Sequence, residues 1–138
     1  MLTSKLLHPE ILSALAASGH GGGVLIADGN YPFSTRANPA AKRVYLNFAP
    51  GKLNAVEVLE VIKDAIPVES AHVMTPDDGS EPPIVAEFKA LLPDAPFSAH
   101  GRFAFYDLAR DSDCCLVIAT GEQRVYANIY LVIGVVKP

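Results

Sequence analysis

The chain has 138 residues, half of them apolar and 19% charged; at roughly 150 residues per domain this predicts a single domain over 1–138 and excludes intrinsic disorder. Eleven basic against fifteen acidic residues leave a net charge of −4. With no Lys/Arg cluster to add a local field, neither a nucleic-acid partner nor an anionic membrane surface is expected.

The first predicted element is a helix over Pro9 to Ser18. Pro9 suits the first helical position, Ile11, Leu12 and Leu15 form one face, and Gly19 suits the stop. Val24 to Ala27 is a short apolar run that reads as a buried strand, and Asp28 to Lys42, with Gly29, Asn30, Pro32 and Pro39, reads as a long loop. Val44 to Phe48 is the next strand. Asn54 and Glu57 form a capping pattern ahead of a stripe of Val58, Leu59, Ile62 and Ile66, and Pro67 ends that helix. Glu69 to Met74 reads as a strand, Pro83 to Leu92 as a helix, Phe97 to His100 as extended and Arg102 to Arg110 as a helix. Cys114 to Ala119 and Ile129 to Val136 are apolar strands, the last of them buried on both faces. Strands alternating with helices predict a layered α/β domain.

The apolar run from Ile129 to Val136 is far short of the ~20 residues of a membrane span. Cys114 and Cys115, the only cysteines, are adjacent and cannot join distant segments. With no secretory leader pattern at the N-terminus, this predicts a reducing, cytoplasmic setting. The four histidines show no metal-ligand spacing, so no metal site is expected.

Three segments could carry chemistry. Gly19-His20-Gly21-Gly22-Gly23 follows a helix and opens a strand, which is the reverse of a dinucleotide fingerprint. A lipase-type oxyanion loop would need a Gly-x-Ser-x-Gly pentapeptide, which is absent. What remains is a working imidazole on a small-residue turn, or a histidine at a helix C-cap. Asp28 ends a buried strand, where α/β sheets bind ligands, or simply begins an Asx turn. Arg102-Phe103-Ala104-Phe105-Tyr106 and Tyr126-Ala127-Asn128 combine aromatic faces with donors and acceptors. That combination suits a sugar, which carries hydroxyls on its rim and C–H groups on its faces.

In order along the chain, His8-Pro9-Glu10-Ile11-Leu12, Gly19-His20-Gly21, Ala27-Asp28-Gly29-Asn30-Tyr31-Pro32, Arg102 to Tyr106, Thr120-Gly121-Glu122 and Tyr126-Ala127-Asn128-Ile129 resemble the motifs of the fucose-mutarotase and ribose-pyranase family. The aromatic Arg102 to Tyr106 block is similar to the fucose branch. The resemblance implies a single three-layer α/β/α domain with a mixed, roughly six-stranded sheet. It also implies a cofactor-free isomerase that interconverts the anomers of a free monosaccharide, L-fucose before D-ribose, and that assembles as a homodecamer with sites near subunit contacts. It makes His20 the proton-transfer residue, with Tyr106 joining catalysis. Asp28, Arg102, Tyr126, Asn128 and Glu69 would bind the sugar. Asp28 is expected either to orient the His20 ring or to hold a sugar hydroxyl. Gly22 and Gly29 depart from the family pattern at positions that are usually acidic and alanine. A sugar-binding accessory module of an uptake system is the alternative reading.

Overall fold

The computed structural model describes all 138 residues. Its centre is a six-stranded sheet in the order β2-β5-β1-β6-β3-β4. The strands are β1 (Gly23–Ala27), β2 (Lys42–Tyr45), β3 (Val68–Thr75), β4 (Phe97–Gly101), β5 (Cys114–Ala119) and β6 (Ile129–Ile133). β1, β2 and β5 are parallel to one another, and so are β3 and β4; β6 lies antiparallel between β1 and β3. Five strands therefore point one way and β6 alone points back.

Side-chain alternation along the strands sorts the core into two layers. Val24, Ile26, Leu116, Ile118, Ile129 and Leu131 face one side. There they meet α1 (Pro9–Ala17), α2 (Ala55–Ile62) and α3 (Ile84–Leu91) through Ile11, Val58, Leu59, Ile62, Ile84 and Phe88. Leu25, Ala27, Val117, Met74 and Tyr130 face the other side, covered by Phe105 and Ala109 of α4 (Arg102–Arg110) and by Tyr31, Ala37 and Ala41 of the long loop. The expected three-layer α/β/α sandwich with a mixed sheet is the one observed.

The long loop has internal order of its own. The Arg43 guanidinium donates to the carbonyls of Phe33, Asn38 and Ala41 at 2.9–3.1 Å. One cation thus satisfies backbone groups that a surface loop otherwise leaves to water. The α2 start is a full capping box: Asn54 accepts from the Glu57 N–H, and Glu57 accepts from the Asn54 N–H.

Most element ends fall within a residue of the expectation, and the larger shifts are in β2, β6 and α2. β2 is Lys42–Tyr45, not Val44 to Phe48, because its partner β5 ends at Ala119 and leaves Asn47 and Phe48 nothing to pair with. β6 stops at Ile133, because its neighbour β3 begins at Val68 opposite it. α2 stops at Ile62, one turn before Ile66.

Gly23 leaves room for a side chain of the neighbouring strand β6. A Cβ there would lie 1.6 Å from the hydroxyl oxygen of Tyr130, a side chain only 2% exposed. Gly23→Ala therefore overpacks the core, and thermal denaturation should show a loss of about 3 kcal/mol or more. Unchanged melting would mean that Tyr130 has room to move.

Candidate functional site

The carboxyl ends of the parallel strands and the start of β6 share one edge of the sheet, the edge where such sheets bind ligands. Because β6 runs antiparallel, the register that pairs Ile26 with Ile129 sets Asn128 beside the end of β1. Asn128 closes a two-point clamp there. Its carbonyl oxygen accepts from the Asp28 N–H at 2.9 Å, and its amide donates to the Asp28 carboxylate at 3.0 Å. The Ala127 N–H donates to the same carboxylate oxygen at 3.1 Å, and the Asn30 N–H to the other at 2.9 Å. Asp28 and Asn128 are each 3% exposed. Burial pushes the Asp28 carboxyl above the usual carboxylate range, against the pull of these donors.

This clamp is the floor of a cavity of about 420 Å3 lined by Asp28, Asn30, Tyr31, Met74, Arg102, Tyr106, Val125, Tyr126 and Asn128. Arg102 and Tyr106 lie one turn apart on α4, so both project to the same side. The Arg102 guanidinium lies 4.6 Å from the centre of the Phe103 ring and has no carboxylate partner. The Tyr106 ring packs edge-on to Tyr31 at 5.4 Å, and the Arg36 guanidinium sits 5.7 Å from its centre. Tyr126 adopts a left-handed backbone, φ 58°. Such a conformation costs a residue with a side chain of order 1 kcal/mol or more, and such outliers cluster at ligand clamps. The turn it makes directs the next N–H, that of Ala127, at Asp28.

Of the residues expected to act together, Asp28, Arg102, Tyr106, Tyr126 and Asn128 are brought to this one pocket. His20 is not among them. It precedes β1 whereas Asp28 follows it, and five strand residues at about 3.3 Å each place the two at opposite ends of the sheet. Asp28 therefore does not orient the His20 ring in the same chain; Glu69 does. His20 Nε2 lies 2.6 Å from the Glu69 carboxylate, with both side chains more than half exposed. Gly21, at φ 86°, makes the turn, its N–H donating to the Ile133 carbonyl at 2.9 Å. The His20–Glu69 pair is thus seated at the far end of β6, and Glu69 touches the histidine rather than the pocket.

Sequence reasoning did not single out Asn30, Tyr31, Met74 and Val125 as pocket residues. The first two sit within the quoted Ala27 to Pro32 motif. Met74 gave no signal beyond ending a strand.

The pocket offers one buried carboxylate, one guanidinium, three phenols and two amides, and both phenyl-type and thioether faces. It can bind and orient a small polyhydroxylated molecule and move protons on it. Asn128→Leu leaves the Asp28 N–H and carboxylate short of partners. We expect a loss of about 2–4 kcal/mol in denaturant unfolding. Stability equal to the parent would show that water replaces the clamp.

A family model described as the RbsD / FucU transport protein family matches residues 1–136. Fucose mutarotase of Bos taurus is 35% identical, aligned over 96% of this chain and 92% of its own length. D-ribose pyranase of Chloroflexus aggregans is 35% identical over 98% of this chain and 99% of its own. The crystal structure of the fucose mutarotase in complex with L-fucose from Streptococcus pneumoniae superposes with a TM-score of 0.84 at 27% identity, covering 99% of this chain and 100% of that one.

Proposed function

Because the chain belongs to the RbsD / FucU family, we propose that it is a sugar mutarotase: an isomerase that interconverts the α and β anomers of a free monosaccharide. The observation that carries the reading is the Asp28–Asn128 clamp at the floor of a pocket rimmed by Arg102, Tyr106 and Tyr126. The substrate proposed first is L-fucose, on the aromatic Arg102 to Tyr106 block, with D-ribose as the alternative.

Mutarotation opens a cyclic hemiacetal and closes it on the other face. A base removes the proton of the anomeric hydroxyl, and its electron pair becomes the second C1–O bond of the aldehyde. The bond from C1 to the ring oxygen breaks as an acid protonates that oxygen. Rotation about C1–C2 and the reverse steps give the other anomer. Nothing is oxidised, and no group leaves. General acid–base catalysis supplies about 10²–10⁴ in rate, roughly 3–5 kcal/mol.

Within the pocket, the assigned tasks follow position. Asp28, held by three donors, accepts a hydrogen bond from a sugar hydroxyl. Arg102 donates to sugar oxygens, and Asn128 and Tyr126 set the orientation of the ring. Tyr106 is the acid for the ring oxygen. His20 is the proton-transfer group, its second ring nitrogen held by Glu69 so that the other is presented outward. Since His20 stands at the opposite sheet edge from the pocket of its own chain, the reading places His20 of a neighbouring copy at that pocket. A closed homo-oligomer, the decamer that the family resemblance implies, then has complete sites only between copies. A cytoplasmic setting goes with this reading.

His20→Ala should cut anomer exchange about 10²–10⁴-fold, measured by NMR saturation transfer on L-fucose and D-ribose, while sugar still raises the melting temperature. Exchange equal to the parent removes His20 from the mechanism, and wild-type protein that binds sugar without accelerating exchange returns the protein to an accessory binding role. Mixing and reassembling His20→Ala with Tyr106→Phe should restore part of the exchange, because some sites then join an intact histidine to an intact phenol. No recovery in verified mixed oligomers would mean that each site is built from one chain.

A further inference from the structure

A second cavity of about 420 Å3 lies on the same sheet edge, on the other side of the Asp28-Gly29-Asn30 turn. Asn30 lines both. This cleft lies beyond the ends of β2, β5 and β1, and nothing in the mutarotase reading uses it. Its size is within the roughly 300–1,000 Å3 of small-molecule sites.

The lining is specific in chemistry. Phe48 is 91% exposed, a large apolar face held in water beside the exposed side-chain amides of Asn30, Asn47 and Gln123. None of the three amides is hydrogen-bonded within the chain, and none is buried. The one charged group, Glu122, is already saturated: the Arg124 guanidinium donates to both its carboxylate oxygens at 3.0 and 2.9 Å, and the Ala55 N–H approaches one of them. An ionic ligand therefore finds no unpaired charge. A neutral ligand finds one aromatic face and three free amides, each both donor and acceptor.

The wall that carries Phe48 is rigidly seated. The Leu46 N–H donates to the Ala119 carbonyl at 2.8 Å, the Gly51 N–H to the Gly121 carbonyl at 2.7 Å and the Gly121 N–H to the Leu53 carbonyl at 3.1 Å. Leu53 holds a left-handed backbone, φ 51°. A Cβ on Gly121 would meet the Lys52 carbonyl oxygen at 2.1 Å, so only glycine permits this approach. An exposed phenyl on a pre-formed, strained loop loses little conformational freedom on binding.

We infer that this cleft is a second carbohydrate subsite, which takes a neutral pyranose ring stacked on Phe48 with its hydroxyls on Asn30, Asn47 and Gln123. The choice of a pyranose rests on the mutarotase reading of the adjoining pocket. The ring can come from a second monosaccharide molecule or from the next unit of a reducing disaccharide whose free end occupies the first pocket.

The test uses the assembled full chain, L-fucose and lactose, and the variant Phe48→Ala, whose site is exposed and whose melting is checked against the parent. Saturation-transfer difference NMR with lactose should show both rings in contact. Phe48→Ala should reduce the non-reducing ring to background and weaken binding about three- to tenfold. For a free second sugar, equilibrium dialysis with L-fucose should give two bound molecules per chain in the parent and one in the variant. Either result supports the subsite and identifies the source of the ring. If neither sugar responds to Phe48→Ala, and Asn47→Leu gives the same answer, the inference is overturned. It is equally overturned if Phe48→Ala changes the oligomer mass in sedimentation while sugar binding stays the same, since the phenyl is then a contact between copies. Anomer exchange by the wild type is scored separately: its absence sinks the mutarotase reading, and contacts at the cleft are still read directly.

Discussion

The direction of β6 is the constraint on which the rest depends. A strand inserted antiparallel between two parallel neighbours begins where they end and ends where they begin. Its first end brings Asn128 against Asp28 and leads in from the Tyr126 turn; its last end receives the Gly21 N–H through Ile133 and seats the His20 turn near Glu69. Were β6 parallel, Asn128 would lie at the far edge of the sheet, and no floor for the pocket would exist. Both groups of polar residues are thus consequences of one strand's polarity, which its hydrogen-bond ladder fixes on both sides.

The floor is built against stability. A carboxylate 3% exposed is unfavourable unless donors surround it, and Asp28 has three, yet its carboxyl remains above its ordinary range. For an acid whose folded pKa is raised, the unfolded chain gives up its proton first. Between the unfolded and folded pKa values stability falls as pH rises, and above both the cost is complete. Tyr126 adds backbone strain at the same place. The compensation lies in the two apolar layers on either side of the sheet, where Phe88, Phe105, Leu25 and Ile118 are fully buried.

The sequence carried much of this where local rules decide. Arg102–Arg110 and Cys114–Ala119 were readable to the residue, because the turn at 111–113 separates them and each is filled by a consistent pattern. The ends of β2 and β6 were not, because a strand stops where its partner stops, and partners lie dozens of residues away. The polar set was readable as residue types within motifs. Its division between two edges was not, because His20 and Glu69 are 49 positions apart and meet only through the register of β3 on β6. Of the two tasks expected of Asp28, orienting the His20 ring is excluded within one chain, because a five-residue strand stands between them; the other, holding a sugar hydroxyl, is compatible with its place at the pocket floor.

That separation constrains any assembly in which one histidine serves another chain's pocket. The histidine edge of one copy must face the carboxyl edge of the next, so the two surfaces in contact are different. A reciprocal two-fold pair completes both sites when each copy's histidine edge meets the other's pocket edge; an unreciprocated contact is heterologous, and repeating it generates a ring if the rotation closes, or an open filament if it does not. The proposed shared site therefore fixes which two surfaces meet, and the rotation between copies sets the symmetry. The exposed imidazole and carboxylate of His20 and Glu69, more than half accessible in the single chain, are then the groups that docking of the next copy would desolvate. Taking the ring and the carboxylate out of water together strengthens the hydrogen bond between them, so docking of the next copy would hold the His20 ring more firmly in its orientation.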